Sequence, residues 1–153
     1  MRQDPSLRAS EQIAIGHSWG LANVTSSEVA GTHYDKVVSL SGAGMLPEWE
    51  PGSTTAYQDL SYRDLLQSAQ SLDVVWDGRN PRDHTAFEHG EFFLGPQDEI
   101  LEHATETVNV QGYPQTTIDA RAFGVLLDNH NLITRNVPAN AAVLESVLSM
   151  VKR

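Results

Sequence analysis

The sequence predicts an α/β domain, a mostly parallel sheet flanked by helices, and three observations carry that expectation. Short apolar runs end in small or polar turn formers: "QIAI" (12–15) runs into Gly16, "DKVVSLSG" (35–42) into "AG", and "LDVVWDG" (72–78) into "RNPRD". Between the second and third runs, "AYQDLSYRDLLQSAQS" (56–71) sets Leu60, Leu65, Leu66 and Ala69 near one helical face, giving the strand, crossover, strand order that parallel pairing requires. The chain then closes on "VPANAAVLESVLSMVKR", with Pro138 in a first helical turn and Val143, Leu144, Val147, Leu148 and Val151 at helical intervals.

Taken in order, residues 12–15 read as a buried strand entering a tight turn, and "WGLANV" after it starts a helix. The second strand covers 35–42, and "GAGMLPEWEPGSTTA" (42–56) is the most loop-like stretch of the chain. A helix over 56–71 and a third strand over 72–78 follow. "GPQDEILEHATET" (95–107) reads as helical, "TVNVQG" (107–112) as a short strand and "RAFGVLL" (121–127) as a better one, before the terminal helix. No repeat, low-complexity tract or linker interrupts this order, so residues 1–153 are expected to form one domain.

Composition narrows the function classes. The 40% apolar content suits an ordinary core, and no run of eighteen apolar residues exists to make a membrane span. Polar residues interrupt the first twenty positions, where an export signal needs an apolar core. A formal net charge of -10 repels phosphate backbones and anionic lipid, which argues against a nucleic-acid partner. Cysteine is absent, which excludes disulfides, thiolate zinc sites and a cysteine nucleophile; the expected compartment is the cytoplasm.

The stretch Gly16-His17-Ser18-Trp19-Gly20 matches G-x-S-x-G, in which a serine sits on a strained strand-to-helix turn framed by two glycines. The glycines are expected to let strand and helix approach closely, and the backbone N–H of Trp19 then faces a developing oxyanion at the helix N-terminus. A serine nucleophile needs a basic imidazole and an orienting carboxylate, which in this arrangement follow in the order serine, acid, histidine, each after a parallel strand. Asp83, or Asp77 at the end of the third run, is available as acid, and His130 in "GVLLDNHNLI" as base. His84, His89 and His103 with Asp83, Glu88 and Glu91 lack the spacing of any standard metal site, so no metal is expected. His17 is expected to pack beneath neighbouring loops, and Ser41 to shape the pocket floor. Met45, Leu46 and Trp49 either line an acyl pocket or belong to the ordinary core.

Together "GHSWG", "VVSLSGAG", "NPRDHTA" and "DNHN" resemble the C-terminal half of the α/β-hydrolase fold. More narrowly, they are similar to an actinobacterial family of uncharacterised α/β hydrolases with a GHSYG-type elbow. The resemblance covers nearly the whole chain, and its specific motif is the elbow. It implies Ser18 as nucleophile, Asp83 as acid in a P-x-D pattern, His130 as base and Trp19 where the family often has tyrosine. The implied activity is that of a serine hydrolase cleaving an ester or related small acyl substrate through an acyl-enzyme, with no cofactor. The elbow begins only about fifteen residues from Met1, so the fold's earlier strands, and the second oxyanion donor they carry, are expected to be missing. A truncated domain of this kind would leave the flank of the elbow strand to self-association or to a partner chain. The alternative function is accordingly that of a catalytically incompetent fragment serving as an assembly or binding piece.

Overall fold

A computed structural model of the chain describes residues 10–70, 79–92, 105–110, 113–118 and 120–152. Strands β1 (Ile13–His17), β2 (Lys36–Leu40), β3 (Ala56–Tyr62) and β4 (Phe87–Phe92) form one sheet in the order β1-β2-β3-β4, every pair parallel. Helix α1 (Trp19–Val29) links β1 to β2, and α2 (Leu65–Gln70) follows β3. A two-stranded antiparallel sheet of β5 (Thr105–Val110) and β6 (Tyr113–Ile118) precedes α3 (Ala120–Leu132), a single 3₁₀ turn (Pro138–Asn140) and α4 (Ala141–Val151). Among the described residues no helix is long and apolar enough to cross a membrane.

A strand's side chains alternate between faces, and the parallel register aligns them across the sheet. On one face Val37, Tyr57 and Phe87 stand in register and close a core with Leu21 of α1 and with Met45 and Trp49. On the other, Val38, Leu40, Leu60 and Tyr62 pack against Ile133, just past α3, and Val143 of α4. Helices therefore cover both faces, which explains why the β2 run is continuously apolar around one serine.

Several sequence expectations are corrected. Residues 56–62 are strand β3, and helix begins only at Leu65. Leu60 shares helical spacing with Leu65 and Leu66 by coincidence: Tyr57, Asp59 and Ser61 point one way and Leu60 and Tyr62 the other, all of them buried. The crossover from β2 to β3 is instead the loop 41–55, which packs Met45 and Trp49, both fully buried, into the core, so neither is a surface-lining acyl contact. Phe87–Phe92, unassigned from sequence, is the fourth strand, and it carries Glu88 and Glu91. Residues 121–127 are helical and not a strand, because Leu126, Asn129 and Ile133 fall on one buried face at intervals of three and four. Thr105–Val110 is a strand where the expected helix 95–107 would have ended. The third run, 72–78, and most of 95–107 lie outside the described residues. In the terminal helix Val143, Val147 and Met150 face the core, while Leu148 is 50% and Val151 40% exposed.

Candidate active site

Ser18 joins β1 to α1 with φ 53° and ψ -123°, a left-handed conformation that a non-glycine residue holds only under strain. Three main-chain bonds impose it. The Ser18 N–H donates to the Leu40 carbonyl at 3.2 Å, and its own carbonyl accepts from Leu21 (3.2 Å) and Ala43 (3.0 Å). The serine occupies the N-cap position of α1, yet its hydroxyl makes no capping hydrogen bond. Trp19 begins the helix, with its side chain 64% exposed.

The two framing glycines are unequal. A Cβ on Gly16 would lie 2.6 Å from the Leu21 nitrogen and 2.8 Å from the Gly20 carbonyl carbon, so the close crossing of β1 and α1 requires glycine there. A Cβ on Gly20 would meet nothing within 4 Å, which corrects the expectation that both glycines relieve crowding.

His130 lies in the last turn of α3, not in a loop after a strand. Its Nδ1 stands 3.0 Å from Asp64 Oδ2, with the carboxylate fully buried and the imidazole 16% exposed. The second oxygen of Asp64, Oδ1, accepts the Gln67 N–H at 2.9 Å and caps α2, and Asn129 Nδ2 donates to the Arg63 carbonyl at 2.8 Å. Residues 63–64 are thus tied to α3 by two successive residues of that helix.

Asp83, expected as the acid, is exposed and sits in a turn where its backbone N–H donates to Asn80 Oδ1 at 3.1 Å; the carboxylate on His130 is that of Asp64. Asp77 lies outside the described residues. The signal for Asp64 was present in the sequence. Once 56–62 is a strand, Asp64 is the first carboxylate after it, and Ser18, Asp64, His130 keep the required order. Reading that strand as a helix hid it.

His17, at the end of β1, reaches the same histidine: its Nε2 is 3.0 Å from the His130 carbonyl oxygen, and the two rings lie 4.9 Å apart at 36°. The other histidines have local tasks. His84 Nδ1 accepts the Ala86 N–H at 3.2 Å and its ring packs on Trp49, while His89 Nδ1 bonds Asp59 Oδ2 at 2.9 Å. His103 lies outside the described residues. Ser41 has a positive φ of 46° and is buried, its N–H donating to the Leu60 carbonyl beside the elbow. No family model, curated protein or solved structure is significantly similar to this chain.

Proposed function

We propose that the chain is a serine hydrolase of α/β-hydrolase type acting on an ester or related acyl substrate. The observation that carries this reading is Ser18, held at φ 53° between a parallel strand and a helix with its hydroxyl uncommitted to capping. The Asp64–His130 pair, one residue of contact away through His17, supports it.

In this reaction the Ser18 Oγ bonds to the substrate carbonyl carbon as its proton passes to His130 Nε2. The carbonyl oxygen takes up the negative charge, facing the Trp19 N–H at the start of α1. Collapse breaks the bond to the leaving alcohol, which takes the proton from His130, and an acyl-enzyme remains. Water then attacks the same carbon, gives its proton to His130 and releases the carboxylic acid as that proton returns to Ser18. Asp64 holds the Nδ1–H tautomer throughout, which leaves Nε2 free to accept. A fluorophosphonate probe tests the reading: wild type should label covalently and Ser18→Ala and His130→Ala should not. Labelling that survives in Ser18→Ala would overturn it.

A second reading, an assembly or binding piece, has one observation behind it. Ile15, in register with Val38, is 50% exposed on a strand that pairs with β2 alone among the described strands. It predicts a concentration-dependent sedimentation coefficient that Ile15→Lys abolishes.

A further inference from the structure

We infer that His17 is a positioning residue for the proposed reaction, fixing His130 from the elbow side while Asp64 fixes it from the other; the inference rests on the hydrolase reading above. His17 ends β1, so its backbone moves with that of Ser18, the next residue. Its Nε2 lies 3.0 Å from the carbonyl oxygen of His130, across 113 residues of sequence. That carbonyl belongs to the last turn of α3, where a helix leaves its carbonyls without intrahelical donors, so His17 acts as a side-chain cap on the turn that carries the base. The ring contact at 4.9 Å restrains the plane of the His130 imidazole as well.

The chemistry fixes both proton positions. A carbonyl oxygen only accepts, so His17 must carry hydrogen on Nε2. A carboxylate also only accepts, so His130 must carry hydrogen on Nδ1 to meet Asp64. As neutral imidazoles the two packed histidines therefore hold opposite tautomers, which gives His130 an acceptor at Nε2. A single intervening peptide unit separates the anchor of the base from the nucleophile. Removing it loosens the separation of the reacting groups, and displacements of about 1 Å at such sites cost on the order of 100-fold.

The test compares His17→Phe, which keeps a ring against His130 and loses the donor, with His17→Gln, whose amide N–H can reach the same carbonyl. With the fluorophosphonate probe, His17→Phe should lower the inactivation rate constant at saturating probe by about tenfold or more while the apparent probe affinity stays within about twofold. His17→Gln should recover most of the rate. In wild type, nitrogen-15 spectra should show His17 protonated on Nε2 and His130 on Nδ1. An unchanged rate constant in a folded His17→Phe protein overturns the inference, and so does an Nδ1–H tautomer at His17, which needs no variant to fold. A wild type that does not label overturns the hydrolase reading itself, and is told apart because it appears before residue 17 is changed.

Discussion

Glycine at position 16 and glycine at position 20 look alike in the motif and differ in the molecule. Gly16→Ala drives a methyl group into the backbone of α1, and should cost roughly 1–3 kcal/mol in urea unfolding and reduce labelling, because backbone atoms cannot turn aside as a side chain can. Gly20→Ala fills open space in the first turn of a helix and should be neutral or stabilise by up to about 1 kcal/mol, with labelling intact. The two carboxylates separate in the same way. Asp64→Asn keeps the shape and removes the group that selects the Nδ1–H tautomer, so probe labelling should fall by about 10⁴-fold. Asp83→Asn, on an exposed turn, should label like wild type. At this scale the strained turn at Ser18 was legible from the motif. The carboxylate that meets His130 was not, because two aspartates in a turn-rich segment outweighed one that the helical reading of 56–71 had placed inside an element.

Among the elements, β3 is the one whose sequence misleads most, since a strand buried on both faces is expected to be apolar and "AYQDLSY" is not. Asp59, the buried carboxylate among them, is matched across the register. Ser39, Asp59 and His89 stand opposite one another on β2, β3 and β4; Asp59 Oδ1 accepts from the Ser39 hydroxyl at 2.5 Å and Oδ2 from His89 at 2.9 Å. His89→Ala removes a donor from a fully buried carboxylate and should cost about 1–3 kcal/mol by urea unfolding without changing the probe affinity. No periodicity reveals such a row, because its partners lie on other strands. Helix α3 was misread for the opposite reason: "AFGVLL" is apolar enough to imitate a buried strand, and the helical spacing emerges only when Asn129 and Ile133 are counted with it. Tyr57, also on β3, supplies a pH response. Burial raises its phenol above the ordinary value, helped by the Glu28 carboxylate that its hydroxyl meets at 2.8 Å and opposed by the Gly52 N–H. Burial raises Tyr62 as well. In the unfolded chain these phenols ionise first, so their contribution to stability is complete below about pH 10 and is lost as pH rises through the raised native values. Thermal unfolding should therefore fall steadily above that pH, and less so in Tyr57→Phe.

At the scale of the whole molecule, the α/β class and the parallel sheet followed from apolar runs ending in small residues, while strand count and order did not, since pairing is a property of the folded sheet. The two apolar faces of that sheet are served by different parts of the chain. Leu21 and the 41–55 loop cover one, and the segment from Ile133 through α4 covers the other, with Asn140 fastening it to the sheet through the Tyr62 hydroxyl at 2.9 Å. The serine thus rides on the β1–α1 unit, whereas the Asp64–His130 pair belongs to the contact of α2 with α3. Proteins open in cooperative units of unequal stability, and among the described residues His17 ties α3 to the elbow through its bond to the His130 carbonyl. Under rising denaturant, chemistry and shape should part company: reactivity would disappear as α3 lifts away, at concentrations where the parallel strands still resist amide exchange.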